Sequence, residues 1–395
     1  MEATKSTGNR FYRPELDVVR FLAFLLVFLH HSLPHAGNPR LESVLKVFAP
    51  VFYTFVHACR FGLSLFFTLS AFLICELLLR EREAAGTVGV KQFYIRRILR
   101  IWPLYYLGLA LGVVFAFLPG GESVAAAKLG WFAIFMGAWY GATQGMLKNP
   151  AFPLWSISVE EQFYLFAPWV IKYFNRKSLY GFCVALIIVA NLWLYYLGKV
   201  GISDSCISFN SFVEFECFAG GILLCLFLHS RTPSIAGWHR LTLLAGYCTF
   251  WMIAASGQLY RSAHHPSDST GSWILVGCYA LSTLGCVMLL AASLGVTSKL
   301  LPGWAIYLGR ISFGLYVYHS FAIFIVRDIP IHSFLNQANL IYPLYAFLSF
   351  VLTVGSPLVL TLLMAALSYR YFETPFLKMK KRHSVIESQP ILRVG

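Results

Sequence analysis

The sequence is poor in charged residues, and this shortage excludes most soluble folds. Only 12% of its 395 residues are charged, whereas 58% are hydrophobic. A soluble domain needs more charge than this to cover its surface. The apolar residues form long runs and lack the alternating pattern of β-barrel strands. The sequence therefore predicts an all-α, polytopic membrane bundle with helices of about 20 residues each.

Acidic residues are scarcer than basic ones. The chain has 17 Asp and Glu against 31 Lys and Arg, which gives a formal net charge of +14. The basic residues do not cluster with aromatic residues on one face, as they would in a nucleic-acid-binding protein. They lie between the apolar runs, as in the cytoplasmic loops of a membrane protein. We therefore expect contact with membrane lipid and no nucleic-acid partner.

The nine cysteines show no C-x-x-C pair and no other metal-ligand spacing, so no metal site is predicted. Several lie inside apolar runs, where free cysteine usually acts as a small buried hydrophobic residue. These are Cys75, Cys183, Cys225, Cys248 and Cys286. The N-terminus does not resemble a cleavable signal peptide, because its first apolar run contains charged residues.

Eleven stretches are candidate membrane spans. They are 16–33, 61–79, 99–118, 129–147, 155–174, 179–198, 211–229, 240–258, 273–293, 303–326 and 341–369. Basic residues in an N-terminal arm (1–14) and a C-terminal tail (377–395) place both ends in the cytoplasm, which requires an even number of crossings. We therefore predict about ten transmembrane helices within 15–376, in the inner (plasma) membrane. The glycine-rich stretch 129–147 is predicted to be re-entrant or interfacial.

The first span carries ionisable residues on one face. Arg20 and His31 are eleven residues apart, which is about three helical turns, and Asp17 lies on the same side. Ionisable groups at such depth are costly unless they face a polar interior. A snorkelling arginine and a histidine pair at the membrane interface would also produce this pattern.

Arginines gather at the predicted cytoplasmic ends of other spans. Arg97 and Arg100 in "YIRRILR" share a helix face, whereas Arg96 points elsewhere. Forked guanidinium groups suit phosphate, although an ordinary cytoplasmic anchor would look similar. Arg370 in "YRYFETP" is a further candidate for contact with an anionic donor, or one half of an ion pair with Glu373.

Other polar residues lie in the predicted outer half. Ser156 and Glu160 share a face at the start of the span 155–174, and His319 lies in the span 303–326. A carboxylate at the depth of His31 could fix the tautomer of that imidazole and support a general base. The alternatives are a glutamate favoured by the helix dipole and a packing histidine.

Taken in order, these stretches resemble the membrane-bound acyltransferase-3 family. "ELDVVRFLAFLLVFLHH" is similar to its Leu-Asp-x-x-Arg element, followed after ten residues by a histidine, which selects His31. "FGLSLFFTLSAFLI", "YIRRILRIWPLYY", "LWSISVEEQFYL", "ISFGLYVYH" and "YFETP" resemble its later elements. Ala71 stands where the family usually has glycine, so a looser helix contact is expected there. No hydrolase-like domain follows, so the stand-alone form is expected.

The resemblance implies transfer of an acyl group, most often acetyl, from cytoplasmic acyl-CoA to a hydroxyl group. The acceptor would be a carbohydrate, a lipid-linked sugar or a secreted glycoside, and acetyl-CoA would be a substrate, not a tightly bound cofactor. His31 would be the catalytic histidine and Arg20 its motif partner, while Arg97 and Arg100 would contact the CoA phosphates. We add Glu160 as a catalytic partner. Candidates for acceptor binding or support are Asp17, Ser156 and His319.

The main alternative is a proton-coupled transporter or flippase of a glycan or small molecule. Aspartate, glutamate and histidine within spans also form proton relays. The sequence shows few titratable steps between the two membrane sides and no evident internal repeat, and both points weaken this alternative. A non-catalytic membrane scaffold is a third hypothesis.

Overall fold

Every regular element in the described part of the chain is a helix. The computed structural model describes residues 11–34, 46–118, 122–229, 231, 233–327, 347–348, 350–383 and 386. This part contains seventeen α-helices, which are numbered α1 to α17 in chain order. The predicted all-α membrane bundle is confirmed.

The helices have the following bounds: α1 Pro14–Ser32, α2 Ala49–Ala58, α3 Gly62–Ala85, α4 Val90–Ala116, α5 Ser123–Lys128, α6 Gly130–Ala133, α7 Gly137–Gln144, α8 Trp155–Tyr173, α9 Arg176–Val200, α10 Asp204–Ser208, α11 Ser211–Leu228, α12 Gly237–His264, α13 Ser269–Ser293, α14 Gly303–Arg310, α15 Ser312–Arg327, α16 Ser356–Ser368 and α17 Thr374–Lys381. Two π-helical segments flank α16, at Val351–Gly355 and Tyr369–Glu373. Together with α17 they form one continuous helix, Val351–Lys381.

Six helices are long and apolar enough to cross a membrane. They are Ala49–Ala85, α4, α9, α11, α13 and Val351–Lys381. The predicted span 303–326 is divided into α14 and α15, which meet at an angle of 75° and would make a seventh crossing if they are one broken span. The predicted number of about ten crossings is therefore not confirmed. Residues 341–346 of the last predicted span lie outside the described residues.

Charged residues explain why α1 and α8 are not among the helices that are apolar enough to cross a membrane. Each helix has 19 residues, and each carries three Asp, Glu, Lys or Arg side chains. Charged residues lower the mean hydropathy that defines a span. Three of these six charged residues, Asp17, Arg20 and Glu160, line the cavity described below. The two helices therefore look less apolar because they carry polar site residues.

The glycine-rich segment 129–147 forms the two short helices α6 and α7. Phe135 separates them with a φ of 57°, in the left-handed region that interrupts a helix. Since α7 has eight residues, it is about 12 Å long, which is far less than the ~30 Å core of a bilayer. This segment contains no continuous crossing helix, as expected for a re-entrant or interfacial element.

Close helix contacts depend on two glycines. A Cβ atom on Gly309 of α14 would lie 1.8 Å from the backbone oxygen of Asp17 in α1. A Cβ atom on Gly221 of α11 would lie 2.2 Å from the oxygen of Thr68 and 3.0 Å from the Cβ of Ala71 in α3. The looser contact expected at Ala71 is therefore wrong, because the glycine on the opposite helix provides the close approach.

Four of the five cysteines expected to be buried are buried, and Cys248 is the exception. It lies in the first half of α12, where no residue before Trp251 is buried. The apolar run that contains Cys248 is therefore not packed inside the protein.

Candidate functional site

A cavity opens between α1, α3, α4, α8, α15 and α17. It holds about 1200 Å³ of space that protein atoms do not fill, including its mouth. Phenylalanine and leucine side chains form much of its wall. The charged residues that line it are Arg13, Asp17, Arg20, Arg97, Arg100, Glu160 and Lys380. With five basic residues and two acidic ones, the cavity favours an anionic ligand.

The predicted pair Arg97 and Arg100 lies on the cavity side of α4. The guanidinium carbon of Arg97 lies 5.6 Å from the centre of the Phe93 ring and 5.5 Å from that of Tyr164. Its Nε atom is buried and has no hydrogen-bond partner among the described residues. These aromatic faces hold the guanidinium in place without neutralising its charge.

Arg96 points away from the cavity, as predicted. It is buried, donates to Glu81 at 2.7 Å and donates to the backbone oxygen of His383 at 2.9 Å. The bond to Glu81 joins the start of α4 to α3, and the bond to His383 joins it to the C-terminal segment. Arg96 therefore has a structural role, which separates it from Arg97 and Arg100.

Asp17 organises the polar side of α1. Its carboxylate is fully buried, and it accepts hydrogen bonds from Arg20 at 2.6 Å and from the hydroxyl of Tyr12 at 2.9 Å. Arg310 lies 3.7 Å from the same carboxylate and also donates to Tyr12. Burial raises the pKa of Tyr12, and the hydrogen bond from Arg310 opposes that rise. Asp17 therefore holds Arg20 at the cavity wall.

Glu160 lies in the cavity near Arg97 and Arg100. It accepts a hydrogen bond from Tyr164 at 3.2 Å, and the Tyr164 hydroxyl lies 2.6 Å from the hydroxyl of Ser70. The expected pairing of Glu160 with His31 is wrong, because α8 turns this glutamate towards the arginines. In the structure, His31 instead contacts His319.

The two histidines form a chain that leads back to the cavity. Nδ1 of His31 lies 3.0 Å from Nε2 of His319, and Nδ1 of His319 lies 2.5 Å from the backbone oxygen of Tyr316. The hydroxyl of Tyr316 lies 2.6 Å from that of Ser156, and both residues line the cavity. His31 itself is exposed and is not part of the cavity wall. Ser156 and Tyr316 therefore stand between the cavity and the histidine pair.

The structure does not bring Arg370 to the cavity, so its contact with an anionic donor stays a prediction. This residue is exposed, its guanidinium lies 5.4 Å from the ring centre of Tyr371, and it does not line the cavity. The helix is π-helical at this point, and Glu373 contacts Ser368, five residues earlier, at 3.2 Å. In a π-helical turn, residues three positions apart are no longer neighbours on one face. The suggested ion pair of Arg370 with Glu373 therefore does not form.

Lys380 was not among the predicted site residues. The sequence predicted only a basic cytoplasmic tail from residue 377, yet Lys380 is 8% exposed and lines the cavity. Pro375 near the start of α17 is a helix-start signal that the sequence does contain. The packing of α17 against α4 places Lys380 beside the arginines, and this contact is not visible in the sequence.

Arg13 and Tyr12, in the segment before α1, also line the cavity. The sequence predicted only a basic arm in this region. Within the described residues, no group of three or more His, Cys, Asp and Glu side chains could hold a metal ion.

These observations define a multi-pass helical membrane protein with a cation-lined cavity beside a histidine pair. The sequence profile described as an acyltransferase domain matches residues 13–362. The chain belongs to the acyltransferase-3 family, as its motifs predicted.

Two curated relatives illustrate the range of the similarity. The peptidoglycan O-acetyltransferase OatA of Listeria monocytogenes is 24% identical over 399 residues, which cover 94% of this chain and 56% of the relative. Nodulation protein 10 of Rhizobium leguminosarum is 24% identical over 340 residues, which cover 78% of this chain and 82% of the relative. The chain spans about half the length of the first of these proteins. No solved structure matches the chain.

Proposed function

We propose that this protein transfers an acyl group, most simply acetyl, from acyl-CoA to a hydroxyl group of a carbohydrate or glycoside. The observation that carries this proposal is the convergence of five basic side chains on one cavity whose far wall contacts a histidine pair. CoA is anionic at its phosphates and carries its reactive thioester on a long arm. A charged entrance and a distant base fit such a donor.

The donor would bind with its phosphates at the basic end of the cavity. Arg97, Arg100 and Lys380 supply charge there, and Arg20 is held in place by Asp17. Apolar side chains along the wall would accommodate the extended arm. The thioester would then lie near Ser156 and Tyr316.

His31 would act as the general base on the acceptor. Its imidazole takes the proton from the acceptor hydroxyl as the hydroxyl oxygen bonds to the thioester carbonyl carbon. The carbon–sulfur bond then breaks, and the CoA thiolate recovers the proton from the imidazolium. Because His31 is exposed, an acceptor can reach it from the side opposite the donor. A carbohydrate acceptor is consistent with the name of the Listeria relative.

Both chain ends would face the cytoplasm of a plasma membrane, where acyl-CoA is made. Tyr12 and Arg13 near one end and Lys380 near the other line the same cavity. This shared cavity supports the placement of both ends on one side of the bundle, from which the donor would enter.

The first test measures CoA release and acetyl transfer by purified protein in lipid nanodiscs, with acetyl-CoA as donor. We expect His31→Gln to lower the transfer rate about 100-fold or more, because general-base catalysis contributes on the order of 10²–10⁴. His30→Gln is the matched control, since His30 contacts the Val56 backbone oxygen at 3.1 Å and has no assigned role in transfer.

Mass spectrometry of envelope glycans from cells with each variant identifies the acceptor. Wild-type rates in the His31→Gln protein would contradict the catalytic assignment. Glycan or small-molecule flux that does not depend on acyl-CoA, together with no acyl transfer, would favour the transporter alternative.

A further inference from the structure

We propose that His319 is a positioning residue that fixes His31 in the tautomer with hydrogen on Nδ1 and the basic lone pair on Nε2. This inference rests on the proposed function, because it specifies how the proposed base is prepared. It follows from two successive hydrogen bonds, one from His319 to the backbone oxygen of Tyr316 and one between His31 and His319.

The hydrogen-bond chain begins at a backbone oxygen, which can only accept a hydrogen bond. The backbone oxygen of Tyr316 lies 2.5 Å from Nδ1 of His319, so Nδ1 must carry the hydrogen. His319 is fully buried, and burial disfavours a charged imidazole. A neutral imidazole with hydrogen on Nδ1 has its lone pair on Nε2.

The second link determines the state of His31. Nε2 of His319 must accept a hydrogen bond, and the nitrogen that lies 3.0 Å from it is Nδ1 of His31. His31 therefore donates through Nδ1 and keeps its lone pair on Nε2. The two ring planes differ by only 21° and the ring centres are 5.1 Å apart, so the rings meet nearly edge to edge. That is the geometry of an N–H···N hydrogen bond.

Packing keeps this chain in place. His319 lies against Phe24 of α1, with ring centres 6.4 Å apart, and against Tyr316, at 5.4 Å. Phe24 is fully buried and lies seven residues before His31, on the same helix side. Tyr316, which lines the cavity, is thus also a residue against which His319 packs.

Substitution of His319 tests this role. A glutamine can accept a hydrogen bond near the position of Nε2, whereas leucine cannot. We expect His319→Leu to lower kcat for acetyl transfer about 100-fold with the KM for acetyl-CoA within twofold of the wild type. His319→Gln should recover at least tenfold of that loss. Equal kcat values for the glutamine and leucine variants would overturn the proposal.

Nitrogen NMR of histidine-labelled protein gives a readout that does not depend on activity. The His31 signals are assigned by their loss in His31→Gln. We expect hydrogen on Nδ1 of His31 in the wild type and a shift towards the Nε2–H form in His319→Leu. Hydrogen on Nε2 in the wild type would overturn the proposal even if the leucine variant does not fold. If the wild type shows no acyl transfer, the proposed function fails, while this spectrum still decides the role of His319.

Discussion

At the scale of single residues, the site holds its positive charges in two ways. Arg20 is held by the buried carboxylate of Asp17, so its position is set before any ligand arrives. Arg97 lies over two aromatic faces that leave its charge available for an anion. Basic groups at membrane depth are costly, and an anionic ligand would offset part of that cost. This argues for a ligand that carries several negative charges.

The first prediction at this scale concerns the basic end of the cavity. Arg97→Gln and Arg100→Gln should each raise the KM for acetyl-CoA about tenfold, with kcat changed less, because each removes a charge from the proposed donor site. Arg370→Gln is the matched control, since Arg370 is exposed outside the cavity. Steady-state transfer kinetics are the measurement. An unchanged KM in both cavity variants would remove these arginines from the donor site.

At the scale of helices, the contact between α1 and α14 positions the polar side of the cavity. Gly309 allows the backbone of α14 to touch that of α1 at Asp17. Arg310, the next residue, reaches both Asp17 and Tyr12. A wider separation of these helices would move the groups that hold Arg20. The glycine thus matters for the site through helix spacing.

We therefore expect Gly309→Ala to destabilise the protein by about 1–3 kcal/mol, because its Cβ atom would overlap backbone that cannot move aside easily. Gly303→Ala is the control on the same helix, since its Cβ atom would have no neighbour within 4 Å. Thermal unfolding in detergent compares the two variants. Equal unfolding midpoints for the two would mean that the α1–α14 contact can adjust without cost.

At the scale of the whole molecule, the site joins distant parts of the chain. Arg13 precedes α1, Arg97 lies on α4, and Lys380 lies on α17. A ligand that contacts all three would connect the first and last helices. Its binding should therefore stabilise the bundle as a unit.

Addition of CoA tests this consequence. At 100 times its Kd, a ligand that binds only the folded state stabilises it by about 2.7 kcal/mol. We expect CoA to raise the unfolding midpoint of the wild type by several degrees, and to have little effect on an Arg97→Gln, Arg100→Gln double variant. High salt should reduce the shift, because it screens charges at the cavity mouth. An equal shift in the double variant would place CoA elsewhere.

Much of the site could be predicted from the sequence. The positions of Arg97 and Arg100 on one face follow from helix periodicity, and so does the separation of Arg96 from them. The motifs and their order along the chain predicted the family. The number of spans was harder to predict, because hydropathy alone does not distinguish a helix in contact with lipid from one that is buried or broken.

What the sequence determined by itself was the helical membrane class, the family and the helix faces that carry polar residues. Only the tertiary structure decided that His31 contacts His319 instead of Glu160, that Lys380 lies in the cavity and that Arg370 lies outside it. The physical reason is distance along the chain. Periodicity governs neighbours within a few residues, whereas the contact of His31 with His319 joins residues 288 positions apart and depends on how helices pack.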